Sequence, residues 1–378
     1  MKRLTIAMIG QRGVPATFGG IEHHVEELGS RLVERGHDVI VYARPNYLET
    51  PIEEHRGMKV KMLPTVDTKH LDAIVHSGVS TVDAMRERVD IVHYHAIGPG
   101  IPAVLPRLAS RAKVVLTVHG RDSERAKWGR GARTVLSTAE WMSARVPDAT
   151  IVVSRDLQRH YEQAHHRRTW YIPNGVDARD RLPAKEITQQ WGLVEGSYIL
   201  FVGRLVPEKA PDLLMRAFAR LPGDLRLVIA GGSSFTDEYV TSLETLAGGD
   251  DRVIMAGYVY GGVLSELYSN AAAFVLPSAL EGLPLTLLEA ASFGAPIVAS
   301  DIPPHLEVLG GDEAGHRVFA SGSQDGALAA IERVLADPVL ERDAARAFRA
   351  DVLERYRWDR AVEQTERAYE TILRRRRA

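Results

Sequence analysis

Residues 4–44, LTIAMIGQRGVPATFGGIEHHVEELGSRLVERGHDVIVYAR, read as a strand, a glycine-bearing loop, a helix and a second strand. The opening run is short and apolar and ends at Gly10. Ile21, Val25, Leu28 and Leu32 then recur at helical spacing, and Gly36 stands where a C-terminal cap belongs. HDVIVYAR supplies the next strand. Strands alternating with helices predict a parallel sheet covered on both faces.

The alternation continues through VDIVHYHA (89–96), KVVLTVHG (113–120), ATIVVS (149–154) and TWYIPNG (169–175). Such unbroken Val/Ile runs suit strands buried on both sides. VDARDRLPAKEI (176–187) is polar, lacks a strand pattern and reads as a linker. A second series follows: YILFVGR (198–204), LRLVIAG (225–231), RVIMAG (252–257), AFVLPS (273–278), PIVAS (296–300) and HRVFA (316–320). Helical segments such as DLLMRAFARL and LTLLEAASFG separate them, and three helical stretches follow residue 323. The last carries Ala361, Val362, Thr365, Ala368, Tyr369, Ile372 and Leu373 on one stripe, which requires a packing partner. The expected fold class is therefore α/β, two Rossmann-like doubly wound parallel-sheet domains spanning 1–176 and 177–357. Ligands of such sheets bind outside the carboxyl ends of the strands, so two facing halves place the best site in a cleft between them.

With 378 residues and 45% hydrophobic content, the chain can bury full cores. Lys plus Arg number 47 against 49 for Asp plus Glu, a net charge of −2 that argues against a duplex nucleic-acid binder. No run approaches the roughly 18 apolar residues of a membrane span, and the N-terminus is too short in its apolar part for a secretory signal. A cytoplasmic protein is expected. The absence of cysteine excludes disulfides, thiolate nucleophiles and cysteine-type zinc sites.

SALEGLPLTLLEA (278–290) carries the chemistry. A strand ends, a loop presents Glu281 and Gly282, and a helix begins near Pro284, so that the first amides without intrahelical acceptors belong to Leu285 and Thr286. These amides and the helix dipole suit an anion such as phosphate. Glu289 lies about one turn further along, and two carboxylates flanking a diphosphate could each accept hydrogen bonds from vicinal hydroxyls. A loop charge and a solvated helix face are the alternative for an isolated pair of this spacing. Arg204 and Lys209 stand five apart between a strand and a helix, either a diphosphate clamp or two surface cations. Gly19 and Gly20 open a helix, where the missing side chain allows close approach of a phosphate or sugar, or simply a turn. His119 ends a strand at the functional edge of the sheet, with a core or capping histidine as the alternative. His23 and His24 are adjacent rather than four apart, and His93 and His95 share a strand face without an evident third ligand, so no metal motif is visible.

FGGIEHHVEELGSRLVERGHDVIVYA, IPNGVD, GRLVPEKAPDLLMRAF and PSALEGLPLTLLEAASFGAPIVAS, taken together and in this order, resemble the retaining glycosyltransferases of family four, which have the GT-B fold. The likeness covers nearly the whole chain. The N-terminal segment and VHGRDSERAKWG further resemble a bacterial branch associated with rhamnosyl and other transfers in surface-polysaccharide synthesis. The resemblance implies that Arg204, Lys209 and the amides at Leu285 and Thr286 hold a donor diphosphate, with Glu289 on ribose, Glu281 on the transferred sugar and His119 beside its reacting face. It implies that Gly19 and Gly20 close over the phosphates, that Gly282 belongs to the donor loop, and that Tyr258 and Val259 border the base. It also implies that the closing helix, about 358–378, crosses back to the first, acceptor-side domain, and that 177–357 is the nucleotide-sugar donor domain.

The expected reaction moves a sugar from a nucleotide-diphosphate sugar, UDP favoured by family frequency, to an acceptor hydroxyl with retention. Cations and helix amides would stabilise the leaving diphosphate, so no cofactor and no metal are expected. Domain closure would exclude water. The rivals are a nucleotide-sugar epimerase of the same fold and a non-catalytic nucleotide-sugar-binding protein. Glu22, His23, Arg121 and Asp122 are the acceptor-side candidates. The basic stretches 121–133 and 374–377 could face a lipid-linked acceptor or the inner face of a membrane, or be solvated. A small-molecule or peptide acceptor stays open.

Overall fold

The computed structural model describes residues 2–17, 19–48, 50–66, 72–121, 130–233 and 236–374, the side chains of 130–133 excepted. The chain divides into two compact units, residues 1–175 with 358–378, and residues 176–357.

The first unit is built on strands β1 (Thr5–Ile9), β2 (Asp38–Ala43), β3 (Glu54–His55), β4 (Met58–Met62), β5 (Ile91–His95), β6 (Lys113–Val118), β7 (Ala149–Val152) and β8 (Trp170–Tyr171). They form one sheet in the order β3-β4-β2-β1-β5-β6-β7-β8. Every neighbouring pair is parallel except the β3–β4 hairpin. Its helices are α1 (Gly20–Glu34), α2 (Asp72–Arg86), α3 (Val104–Ala109), α4 (Arg130–Ser143), α5 (Arg155–His165) and the C-terminal helix (Trp358–Arg374). The side chains of β1, β5 and β6 are almost wholly buried, as expected of strands covered on both faces. The hairpin was not foreseen from the sequence, because its members are two and five residues long and largely polar, and only Met58 and Val60 are buried.

The second unit holds β9 (Tyr198–Val202), β10 (Arg226–Ala230), β11 (Val253–Gly257), β12 (Ala273–Leu276), β13 (Ile297–Ser300) and β14 (His316–Phe319). All pair in parallel, in the order β11-β10-β9-β12-β13-β14. The helices are α6 (Glu186–Trp191), α7 (Pro211–Phe218), α8 (Asp237–Ala247), α9 (Gly261–Asn270), α10 (Leu285–Ser292), α11 (Pro303–Leu309), α12 (Gln324–Ala336) and α13 (Pro338–Arg355). The expected linker 176–187 lacks helix and strand as far as Lys185; α6 begins inside it at Glu186, anchored by burial of Ile187 and by the Glu266 carboxylate, which accepts from the amides of Lys185 and Ile187.

The apolar stripe of the C-terminal helix is buried within the first unit at Trp358, Ala361, Val362, Thr365, Ala368, Tyr369 and Ile372. Leu373, expected on the same stripe, is 38% exposed, because it lies to one side of a buried line that still includes Ile372 in the last turn. Gly175 sits directly against Trp358: a Cβ there would lie 2.4 Å from the Trp358 nitrogen. No helix among the described residues is long and apolar enough to cross a membrane.

Candidate active site

In each sheet the order of the parallel strands reverses once, and at such a switch point the loops leaving two adjacent strands diverge to open a crevice. In the second unit this falls between β9 and β12. The loop after β9 carries Arg204 and continues into a short 3-10 turn, Pro207–Lys209; the loop after β12 carries Glu281 and Gly282. The two loops meet through Lys209, whose Nζ donates to Glu281 Oε1 at 2.7 Å. Ser278 Oγ donates to the same oxygen at 2.8 Å. Burial is the largest single influence on the Glu281 carboxyl and pushes it up, but the charge and hydrogen bond of Lys209, the nearby His305 and the Ser278 bond together hold the group below its ordinary range. Lys209 reaches this position across Gly203, where a Cβ would sit 3.0 Å from Lys209 Cδ.

His305, unforeseen from the sequence, stands beside Glu281 from α11. Its Nδ1 lies 2.9 Å from the Ser300 carbonyl, its Nε2 is buried without a partner, and burial lowers its pKa to about 4 despite the nearby carboxylate. Glu208 is a second surprise, with both carboxylate oxygens buried and unpartnered. Neither residue belongs to a pattern that separates it from an ordinary surface Glu or His in sequence.

Helix α10 begins at Leu285 with Pro284 as its N-cap and no side-chain cap. The Leu287 and Leu288 amides turn back to the Pro284 carbonyl, leaving those of Leu285 and Thr286 at the open helix start. Thr286 Oγ1 is buried there without a partner. One turn on, Glu289 Oε2 accepts a 3.0 Å bond from Tyr268. Tyr258 donates to the Ser233 carbonyl at 2.7 Å and stacks on Tyr260 at 6.1 Å, with Val259 half-buried between them. At Gly232 a Cβ would lie 2.4 Å from the Tyr258 ring, so a side chain there would have to displace the tyrosine.

The switch point of the first unit lies between β1 and β5. The chain passes so close there that a Cβ on Gly10 would stand 2.3 Å from the His95 carbonyl oxygen. Gly19 is the N-cap of α1 with φ 103°, a conformation that favours glycine, and a Cβ would collide with Glu22 Oε2 at 2.1 Å. Gly20 is exposed at the first position of α1. Glu22, an expected acceptor contact, turns its carboxylate onto its own loop and accepts from the Arg12 amide at 3.0 Å. His23 packs edge-on against Trp358 at 6.2 Å. Arg121 is engaged by Asp156 of α5 at 2.8 Å. Asp122 lies outside the described residues, as does most of 121–133 and 374–377.

His119 does have histidine neighbours. Its Nε2 lies 3.3 Å from His95 Nδ1, and its ring stands 4.7 Å from that of His24. His24 Nδ1 meets the Asn174 side-chain oxygen at 2.8 Å, so the NG of IPNGVD reaches α1. His95 thus gathers with residues of distant elements rather than with His93: His24, His95 and His119 have ligand atoms within 4.8 Å of one another, whereas His93 turns its ring nitrogens to Tyr369 and Thr117. Burial lowers His24 to about 4 and His93 to about 3, and takes His95 well below its ordinary value. These imidazoles are neutral at pH 7, and the Nε2 atoms of His24 and His95 have no partner.

Two parallel sheets, each with polar loops gathered at its switch point, are the architecture of the GT-B glycosyltransferases. Residues 184–351 match the family of glycosyl transferases group 1, and residues 18–180 match glycosyltransferase family 4. The chain belongs to this family of glycosyltransferases. It is 30% identical to a D-inositol 3-phosphate glycosyltransferase of Geodermatophilus obscurus, over 93% of this chain and 84% of that protein. It is 25% identical to an uncharacterised glycosyltransferase of Methanocaldococcus jannaschii, over 98% of this chain and 99% of that one. Among solved structures, the sucrose-phosphate synthase of Thermosynechococcus elongatus superposes with a TM-score of 0.84 at 23% identity, covering 98% of this chain and 99% of that one. Anabaena HepE in complex with UDP and glucose superposes at 0.81 and 19% identity, covering 98% and 100%.

Proposed function

We propose that the protein transfers a sugar from a nucleotide-diphosphate sugar, a UDP-sugar first among the candidates, to an acceptor hydroxyl with retention and without a metal at the diphosphate. The observation that carries this reading is the meeting of Lys209 with Glu281 beside the open start of α10. Leu285 and Thr286 amides, the unpartnered Thr286 hydroxyl, Lys209 and Arg204 together supply donors for a diphosphate. Glu281, held ionised by Lys209, accepts from hydroxyls of the transferred sugar, and Glu289 from the ribose. Tyr258 and Val259 border the base.

The leaving diphosphate gains negative charge as the anomeric bond breaks, and prearranged donors that strengthen at that moment lower the barrier. In this reading a donor phosphate oxygen takes the proton of the acceptor hydroxyl on the face where the bond forms, which gives retention with no protein nucleophile. His119, which lies beside His95, is the first unit's candidate for the transferred sugar, and Gly19 and Gly20 are its candidates for the phosphates. Glu22, His23, Arg121 and Asp122 remain acceptor-side candidates, though Glu22 and Arg121 would have to exchange the partners described above. Support comes from relatives and neighbours: HepE was solved with UDP and glucose, and a plant starch synthase IV with ADP and acarbose. A role in glycan biosynthesis, with a lipid-linked, peptide or small-molecule acceptor and residues 1–176 on the acceptor side, follows from the same reading.

The test is incubation with UDP-, GDP-, ADP- and dTDP-sugars, with and without acceptors, under excess chelator. Nucleoside diphosphate released with an acceptor-linked α-glycoside formed from an α-donor supports the proposal. Epimerised donor without acceptor, binding without turnover, or an inverted product overturns it.

A further inference from the structure

A second cluster lies on the first unit, outside the residues assigned above. Glu140 on α4 presents Oε1 to two rings at once: His160 Nε2 at 2.5 Å and His165 Nε2 at 2.9 Å, both from α5. The three candidate ligand atoms lie within 4.8 Å of one another. The side chains of Glu140, His160 and His165 are 12%, 22% and 14% exposed, so this is not a solvated surface pair.

The surroundings hold the geometry. Tyr161 and Ser143 join their hydroxyls at 2.6 Å and tie α5 to α4 beside the cluster. Ser154 caps the start of α5, and His166 ends it in the left-handed region at φ 50°, so that His165 falls in the final turn. The rings of His160 and His165 stand 5.7 Å apart at 82°, aimed at one point rather than stacked.

Two imidazoles and one carboxylate are the donor set of open zinc sites. Bonds of about 2.0–2.1 Å to a tetrahedral ion place ligand atoms roughly 3.3 Å apart, so a retreat of the Glu140 carboxylate by under about 1 Å would admit the cation. The single carboxylate offsets half of its charge, and imidazole nitrogen selects a transition ion over magnesium or calcium. We propose that Glu140, His160 and His165 bind one divalent transition-metal ion of the zinc class, with water as the fourth ligand, and so staple α4 to α5. Glu140 and His160 share a narrow crevice with Val118, Gly120 and Arg121, so the staple would brace the segment that carries His119.

The test uses the whole chain, stripped with a chelator and titrated with Zn2+ against a chromogenic competitor. One equivalent should bind to the wild type and to His95→Gln, which disarms the three-histidine cluster. Glu140→Gln and His165→Gln should each weaken binding by more than about tenfold. Co2+ should give the intense visible absorption of a tetrahedral site in the wild type. Bound Zn2+ should also protect His160 and His165 of the unmutated protein from acylation by diethyl pyrocarbonate, a readout that needs no variant to fold. No stoichiometric binding, binding that survives Glu140→Gln and His165→Gln or disappears in His95→Gln, or acylation of both histidines at full rate with Zn2+ present, overturns the proposal.

Discussion

Lys209 and Glu281 form an ion pair whose side chains are each only 12% exposed, so neither can be removed without stranding the other. Lys209→Met should therefore lower stability by about 3 kcal/mol, the lower end for breaking a buried pair, and reduce turnover by orders of magnitude. Lys209→Met with Glu281→Gln should recover most of the stability and none of the activity. Denaturant melts and initial rates on the four proteins of this double-mutant cycle separate the two roles; equal recovery of both would remove Lys209 from the chemistry. The buried histidines make a second prediction. His24, His76 and His305 have pKa values of about 4 in the fold against an ordinary 6.5, so each adds stability that is full above pH 6.5 and declines as pH falls toward 4. The loss is on the order of 3 kcal/mol per group. Melting temperature should fall steeply between pH 6.5 and 4, and His76→Gln, away from the candidate site, should flatten that slope.

At the scale of elements, the loop from Gly10 to Gly20 depends on two constraints rather than on its sequence polarity. Gly19→Ala must place a Cβ at positive φ on top of Glu22, which already holds the Arg12 amide. The backbone term alone costs on the order of 1–3 kcal/mol, since φ 103° with ψ 134° is a conformation L side chains rarely adopt. The variant should lose that much in a denaturant melt and raise KM for the donor more than it lowers kcat; an unchanged KM would detach this loop from donor binding. The helix and strand pattern was legible because long Val/Ile runs and 3.6-residue periodicity are properties of contiguous residues. The start of α10 was legible for the same reason: Pro284, Leu285 and Thr286 are neighbours in sequence. What was not legible depends on which strands adjoin. His24, His95 and His119 come from α1, β5 and the end of β6, and no local spacing encodes their meeting. Glu140 and His165 are separated by a strand and a helix in the same way, and the β3–β4 hairpin is too short and polar to carry a periodic signal.

At the scale of the molecule, the first unit is discontinuous: its final helix follows the whole of the second. That helix buries Trp358, Val362, Tyr369 and Ile372, and Tyr369 closes a 2.7 Å bond to His93 Nδ1. Ending the chain after residue 357 removes roughly 6–12 kcal/mol of apolar burial at about 1.5–3 kcal/mol per side chain, comparable with the net stability of a domain. Hydrogen exchange read by mass spectrometry should then show residues 176–357 protected as in the full chain and β1, β5 and β6 open. Protection retained in those strands would make the helix dispensable.

This discontinuity orders events during synthesis. Residues 176–357 can fold as soon as they leave the ribosome, whereas the earlier-made sheet must wait for them to be translated before its last helix exists. At about 5–20 residues per second the wait is on the order of ten to forty seconds, during which the surface meant for Trp358 and Tyr369 stays uncovered on the nascent chain. The half translated first is thus the half completed last.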